Sequence, residues 1–414
     1  MTKSLRFSEI AGRVAAPASK SMMQRAVAIA SLADITHISG ITPCDDYEAS
    51  LRAAAGIGAQ IERGIDSVKI SARKNPVQDS IDCGEAGLTV RMFSPICALF
   101  DKEIALTGRG TLLKRTLTMI EEPLRALGAR CATNSGFLPL RICGPLNGGR
   151  CEVDGSVSSQ FLTGLLIALP LAKSDTAVVV RDLTSRPYID MTLSIMKAFG
   201  IALTHDNYRE FFVKGNSSYS AGEYTVEGDW SGASFLLAAG AIGGGVTVDN
   251  LLSDSPQADR AFLEVLDACG ARVTINGHSI RVERGNLAPF SFDATDCPDL
   301  FPPVVALASH CPGESKISGV HRLRHKESDR AATLSAEFVK LGVAVRVEGD
   351  TMIVRGGGKI DRAAVDSCGD HRIAMACAVA AFGTNSVTIN GAEAVGKSYP
   401  LFFEDFAALG AIVE

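Results

Sequence analysis

Two carboxylates and a set of cations in polar loops are the side chains of this sequence that could do chemistry. Glu327 lies in "RHKESDR", between Lys326 and Arg330, and Asp299 follows Pro298 in "TDCPDLFPP". A carboxylate held among cations stays ionised, so either can accept a proton and, once protonated, return it. An i, i+3 salt bridge on a solvated helix would account for Glu327 as well, and helix capping would account for Asp299. The candidate cations are Lys20, Arg25, Arg91, Arg115, Lys326, Arg330, Arg372 and Lys397. If their loops face one place they form an anion site; taken singly, each is an ordinary surface charge. "SVSSQ" adds two hydroxyls and an amide, Ser158, Ser159 and Gln160, at a helix opening. Those donors suit a phosphate, and N-capping accounts readily for only one of the two hydroxyls.

A third chemical signal points elsewhere. "GAEAVGKSYP", Gly391 to Pro400, fits the P-loop pattern G-x-x-x-x-G-K-[ST], which cradles nucleotide phosphates. His321 and His325 stand four apart, but no third ligand has the spacing of a metal site, so no metal is expected.

The elements that must position these residues come from an internal repeat. A phrase made of an apolar helix end, a glycine and an alternating strand recurs as "GIGAQIERG", "ALGARCATN", "AFGIALTHD", "ACGARVTING", "KLGVAVRVEG" and "ALGAIVE". Its glycines are Gly58, Gly128, Gly200, Gly270, Gly342 and Gly410, spaced 70, 72, 70, 72 and 68 residues apart. Glycine is expected there in the left-handed conformation, ending a helix before a strand. In phase with it, polar clusters open apolar helices: "SKSMMQRAV", "EAGLTVRMF", "SVSSQFLTG", "GDWSGASFL", "TDCPDLFPP" and "GDHRIAMAC". Each unit reads βαβαββ.

The sixth unit lacks its last two strands, and the N-terminal "SLRFSEIAGRVAAP" offers such a pair. The expected fold is therefore α/β, with two similar domains of three βαβαββ units: 19–227, and 1–18 plus 228–414. The glycine-rich runs at 243–245 and 356–358 are expected to be turns.

The repeat bears on the P-loop match. The slot filled by Gly391–Pro400 is filled elsewhere by "GRGTLLKRT", "DLTSRPYID", "NLLSDSPQADR" and "GVHRLRHKESDR". The Gly-Lys-Ser is one version of a variable loop. No second carboxylate to hold Mg²⁺ is evident, so nucleotide hydrolysis is not expected.

Composition sets the outer limits. The net charge of −5 gives no global basic field for nucleic acid. The 11 cysteines contain no C-x-x-C and sit in apolar runs, as free buried thiols of a reducing cytosol would. The longest apolar runs reach about half of the ~18 residues that a membrane span needs, and the N-terminus lacks a signal-peptide core. A cytoplasmic protein, monomeric and without membrane or nucleic-acid partners, is expected.

Seven phrases in order, "PASKSMMQRA", "SSQFLTGLL", "SRPYIDMTL", "VEGDWSGASF", "KESDR", "DHRIAM" and "GKSYP", resemble the 5-enolpyruvylshikimate-3-phosphate synthases (3-phosphoshikimate 1-carboxyvinyltransferases). The resemblance spans essentially the whole chain. It implies the enolpyruvyl-transferase-like inside-out α/β barrel, with a cleft between its two three-repeat domains. It also implies transfer of the enolpyruvyl group of phosphoenolpyruvate to the 5-hydroxyl of shikimate 3-phosphate, through a tetrahedral ketal and with release of phosphate. No metal or organic cofactor is implied, and the small-molecule substrates are the implied partners.

By the same resemblance, Lys20, Ser21, Arg25, Ser158, Ser159, Gln160, Ser185, Tyr188, Asp299 and Lys326 bind shikimate 3-phosphate. Lys20, Gly87, Arg115, Gln160, Arg330, Arg372 and Lys397 bind phosphoenolpyruvate. Asp299 accepts the hydroxyl proton, Glu327 protonates the methylene carbon and later removes a proton, and Lys20 joins them in catalysis. Fixed cations and domain closure supply charge compensation and exclude water.

The sequence departs from the family pattern in four places. Glu85 and Leu88 stand where N-A-G-T is usual, Arg186 replaces a lysine beside Ser185, and Arg322 replaces an asparagine. The alternatives are a non-catalytic binder of anionic metabolites and transfer to another acceptor such as UDP-N-acetylglucosamine. The sister enzymes of that second kind use a cysteine in the second unit's loop, and "GRGTLLKRT" has none.

Overall fold

Parallel strands cannot be joined by a tight turn, so each repeat spends a helix on the crossover between its first two strands. The computed structural model describes residues 1–414 apart from 73–74, 157, 325 and 385. In the second repeat, Ser80–Asp82 runs parallel to Ile104–Thr107, and helix Gly87–Cys97 makes the crossover. Phe137–Cys143 then pairs antiparallel with Ile104–Thr107, and Arg130–Asn134 lies outside it. All six sheets found among the described residues have four strands in this arrangement. The chain is α/β, with three sheets in each of two units, Met1–Ser19 with Glu227–Glu414 and Lys20–Val226.

The crossover helices are the core. Every residue of Gly87–Cys97 and of Trp230–Gly243 is buried, as expected of helices that are apolar all round. Small residues let the helices of a unit approach closely. A Cβ on Gly164, in helix Ser159–Ala168, would lie 2.4 Å from the Met92 carbonyl oxygen of Gly87–Cys97. Each polar phrase marked in the sequence opens one of these helices, which start at Lys20, Gly87, Ser159, Trp230, Phe301 and His371. The six repeat glycines all have positive φ, between 78° and 113°.

Two expectations need correction. The N-terminal strands do not enter one sheet together. Thr2–Arg6 fills the sixth sheet between Val387–Asn390 and Ile412–Val413. Ile10–Ala15 runs parallel to Gly244–Asp249 in the fourth. The mirror case is Gly222–Thr225, which pairs parallel with Ile35–Ser39 in the Lys20–Val226 unit. At each passage between units, the strand before the passage stays in the unit being left. Second, residues 243–245 form no turn. Helix Trp230–Gly243 runs straight into strand Gly244–Asp249. A Cβ on Gly244 would lie 2.2 Å from the Ile10 carbonyl oxygen, so glycine is required there by the neighbouring strand.

All eleven cysteines are free; ten are buried, and Cys368 is exposed. No helix among the described residues is long and apolar enough to cross a membrane.

Candidate active site

In the Lys20–Val226 unit, the starts of three buried helices carry the polar side chains. Lys20 opens Lys20–Ala30, and its Nζ lies 3.0 Å from Asp46 Oδ2, with both side chains buried. Gln24 Nε2, one turn on, reaches the Asp46 carbonyl, Ser50 Oγ and Thr89 Oγ1 at 2.9–3.2 Å, fixing the helix that carries Asp46. Ser21 is half-buried beside it. Arg25 is 1% exposed and donates to Ser21 O, Thr192 Oγ1, Thr163 Oγ1 and Tyr188 O. Burial pulls its guanidinium down to about 10, so it is still charged at neutral pH. Arg25 thereby ties its own helix to Tyr188 and the helix that follows Ser185.

Arg115 follows the 3₁₀ turn Gly110–Lys114 and is 7% exposed. Its guanidinium fills the space a side chain at Gly87 would need: a Cβ there would meet Nη1 at 2.3 Å and Cζ at 2.6 Å. Arg91 donates to Gln160 Oε1 at 2.8 Å, which turns the Gln160 amide nitrogen away from Arg91. Ser158 caps helix Ser159–Ala168 by accepting from Gln160 N, while Ser159 is a second, buried hydroxyl at the same opening. Ser185, at φ 59°, precedes helix Arg186–Ala198. Arg186, the departure from lysine, lies over the Tyr208 ring at 5.7 Å, a stacking geometry that suits a planar guanidinium.

The other unit gathers carboxylates around one buried cation. Arg330, 0% exposed at the start of helix Arg330–Lys340, donates from Nη1 to Asp299 Oδ1 and from Nη2 to Glu327 Oε2, both at 2.6 Å. Its Nε donates to Asp370 Oδ2 at 2.8 Å. Asp299 also meets Lys326 Nζ at 3.2 Å and Arg372 Nη2 at 3.1 Å. Arg372 in turn donates to Ser231 Oγ at 2.7 Å. Asp370 caps helix His371–Ala380 and accepts from Arg372 N, so a helix N-terminus adds its own positive field. Lys397 Nζ donates to the Gly369 carbonyl at 2.7 Å, just before that helix.

Burial lowers the Lys326 ammonium to about 8; Asp299 and Glu327 oppose this shift, whereas Arg330 and Arg322 add to it. Burial works against the charge of Arg330, but Asp370, Glu327 and Asp299 together outweigh it and hold the guanidinium far above its usual range. The Asp259 carboxyl is pushed up by burial and by Asp299.

The structure thus joins Asp299, Glu327, Lys326, Arg330 and Arg372 in one network, with Lys397 at the helix opening beside it. Sequence reasoning missed Asp46, Asp259 and Asp370. Asp370 had a signal, the aspartate of "GDHRIAM" placed like that of "GDW". Asp259 stands in the fourth unit's slot loop, "SPQADR". Asp46 is one of two adjacent acids at the start of Asp45–Gly56. The P-loop-like stretch forms a 3₁₀ turn, Ala392–Lys397. The ring of His321 pairs with Asp350 at the surface, and His325 lies outside the described residues.

Comparison with known proteins follows the same outline. The family model described as EPSP synthase (3-phosphoshikimate 1-carboxyvinyltransferase) matches residues 6–406. A 3-phosphoshikimate 1-carboxyvinyltransferase of Clostridium novyi is 34% identical, covering 98% of this chain and 97% of its own length. That of Clostridium kluyveri is 37% identical, over 99% and 98%. The solved EPSP synthase of Acinetobacter baumannii superposes with a TM-score of 0.83 at 25% identity, covering the whole of both chains.

Proposed function

This chain belongs to the EPSP synthase family, whose members transfer the enolpyruvyl group of phosphoenolpyruvate to shikimate 3-phosphate, and we propose how its own residues carry that reaction. The observation that carries the proposal is the sharing of Arg330 between Asp299 and Glu327. One buried guanidinium fixes two carboxylates, so each has a defined position from which to exchange a proton.

Asp299 accepts the proton of the attacking 5-hydroxyl. Glu327, once protonated, donates to the methylene carbon of phosphoenolpyruvate and later removes a proton from the same carbon. Protonation there builds positive character at C2, the hydroxyl adds to give a tetrahedral ketal, and elimination of phosphate restores the double bond. Lys20, Gly87, Arg115 and Gln160 take the phosphate of phosphoenolpyruvate. Arg372 and Lys397 take its carboxylate, and Arg330 joins them by exchanging one of its present partners. Ser158, Ser159 and Ser185 take the phosphate of shikimate 3-phosphate, with Lys20, Ser21, Arg25, Gln160, Tyr188, Asp299 and Lys326 lining that substrate. The charged groups are already oriented by protein bonds, which lowers the reorganisation needed as charge develops.

The proposal extends to a cytoplasmic monomer with domains 19–227 and 1–18 plus 228–414, acting on small molecules only; the net charge of −5 supports the exclusion of nucleic acid. Purified protein mixed with both substrates, without metal or nucleotide, should release phosphate only when the acceptor is present and form a carboxyvinyl-shikimate phosphate. Binding of shikimate 3-phosphate without turnover would sink the catalytic reading.

Two further results are expected. Gly87→Ala has no room for its methyl group beside Arg115, so the guanidinium must move. The KM for phosphoenolpyruvate should rise about tenfold to a hundredfold, with the KM for shikimate 3-phosphate little changed. Steady-state kinetics with each substrate varied in turn would check this.

The second concerns pH. Lys326 loses its proton as pH rises through about 8, so kcat/KM for shikimate 3-phosphate should fall above that value. Lys326→Arg should flatten this limb, because guanidinium stays charged. Unfolding cannot mimic the effect through this group. Its folded pKa lies below the ordinary 10.5. Between the two values the unfolded chain holds the extra proton, so this group's contribution to stability rises with pH.

A further inference from the structure

Glu85 is the most conspicuous departure from the family pattern, an acid beside an anion site where asparagine is usual. Its carboxylate accepts two hydrogen bonds from one residue: Thr111 N donates to Oε2 at 3.0 Å and Thr111 Oγ1 at 2.9 Å. Thr111 lies in the 3₁₀ turn Gly110–Lys114, immediately before Arg115. The acid packs hard against that turn as well. A Cβ on Gly110, which has φ 56°, would meet all three carboxylate atoms of Glu85 at 2.4–2.6 Å.

These contacts continue a ladder between two stretches of chain. Cys83 N donates to Thr107 O at 2.9 Å, and Arg109 N donates to Gly84 O at 2.8 Å. The Arg109 side chain meets Asp82 at 2.7 Å. Beyond Gly84 the backbone bonds stop, and the Glu85 side chain makes the next link, at Thr111. The link after that is the Arg115 guanidinium lying on Gly87. Arg115 therefore sits over the first residue of helix Gly87–Cys97, whose positive end repels a cation. The Glu85–Thr111 bonds act against that repulsion.

We propose that Glu85 is a positioning residue that straps the turn Gly110–Lys114 to the start of helix Gly87–Cys97 and so fixes Arg115 for the phosphate of phosphoenolpyruvate. The proposal rests on the assignment of Arg115 made above. Glu85 touches no reacting atom in this scheme. Its negative charge is offset by the two Thr111 donors and by the adjacent helix N-terminus.

The test is a set of three variants, Glu85→Ala, Glu85→Gln and Arg115→Ala, compared by steady-state kinetics and thermal melting. Glu85→Ala should raise the KM for phosphoenolpyruvate about tenfold or more, with the KM for shikimate 3-phosphate nearly unchanged. Glu85→Gln keeps an oxygen acceptor for both Thr111 donors and should restore the KM most of the way. A purely structural role would lower the melting temperature of Glu85→Ala without separating the two KM values, and that result overturns the strap. So does an unchanged KM in Glu85→Ala while Arg115→Ala raises it, which would leave the assignment of Arg115 standing. If Arg115→Ala itself leaves that KM unchanged, the assignment fails first, and the strap falls with it.

Discussion

Glu327→Gln should bind both substrates with near-normal affinity and turn over about 10²–10⁴-fold more slowly. The amide keeps the size of the side chain and an oxygen that can accept from Arg330 Nη2, where Glu327 Oε2 now accepts at 2.6 Å. It removes the negative charge paired with Arg330 and the capacity to exchange a proton. In the proposed scheme Glu327 acts twice, as acid toward the methylene carbon and as base toward the same carbon, so both halves of the reaction slow together. Calorimetric titration of each substrate, with kcat measured on the same preparation, separates the two effects. A variant that keeps its kcat would transfer the proton to another group, with Asp299 the first to examine. One that loses both binding and turnover would mean that the charge of Glu327, and not its proton, is what matters.

Arg330→Met should be more damaging still, because it acts on stability and catalysis at once. Three carboxylates, those of Asp299, Glu327 and Asp370, converge on a guanidinium with no solvent exposure. Removing one partner of a buried ion network leaves the others uncompensated, at a cost of about 3–5 kcal/mol. Chemical denaturation should show that loss, and turnover should fall with it because Glu327 and Asp299 then lose the guanidinium they share, Asp299 keeping Lys326 and Arg372. Arg330→Lys preserves the charge but presents a single ammonium to partners that now meet three different nitrogens, so it should recover only part of either property. Combining Arg330→Met with Asp370→Asn removes one of the stranded charges and should return stability without activity. If Arg330→Met alone proves as stable as the parent, the network is not what organises this unit.

Much of the fold was legible because it repeats. The six glycines could be aligned by spacing alone, and all six have the left-handed backbone that the helix-to-strand turn demands. The helix openings were legible for a related reason. A polar phrase ahead of an apolar run marks a helix start, and six copies in phase leave few other readings. What stayed hidden was pairing. Ile10–Ala15 reads as a strand in any sheet, and nothing within it says that its neighbour is Gly244–Asp249 and not the sixth repeat. Gly244 carried the matching clue, but a glycine needed for backbone approach looks the same in a sequence as one needed for a turn.

The site was legible in its members and not in its couplings. Glu327 and Arg330, three apart on one segment, were readable as a pair. The third arm, Asp370, lies 40 residues further on and meets Arg330 only because the repeats place successive helix openings side by side. Lys20 and Asp46 are hidden from each other in the same way, as are Gly87 and Arg115. Glu85 looked misplaced in the sequence because a carboxylate near an anion site is read by its charge. In the structure its partner is a threonine turn 26 residues away.

The first strand of the chain sits between two of the last, with Thr2 opposite Asn390 and Leu5 opposite both Val387 and Val413. A ribosome adding about 5–20 residues per second takes roughly 20 to 80 seconds to travel from one to the other. For all of that interval "TKSLR" has neither neighbour, and its backbone offers an open edge to any other chain. The sixth sheet therefore cannot form until Val387–Asn390 and Ile412–Val413 have been made, and Thr2–Arg6 waits for partners that come late in the chain.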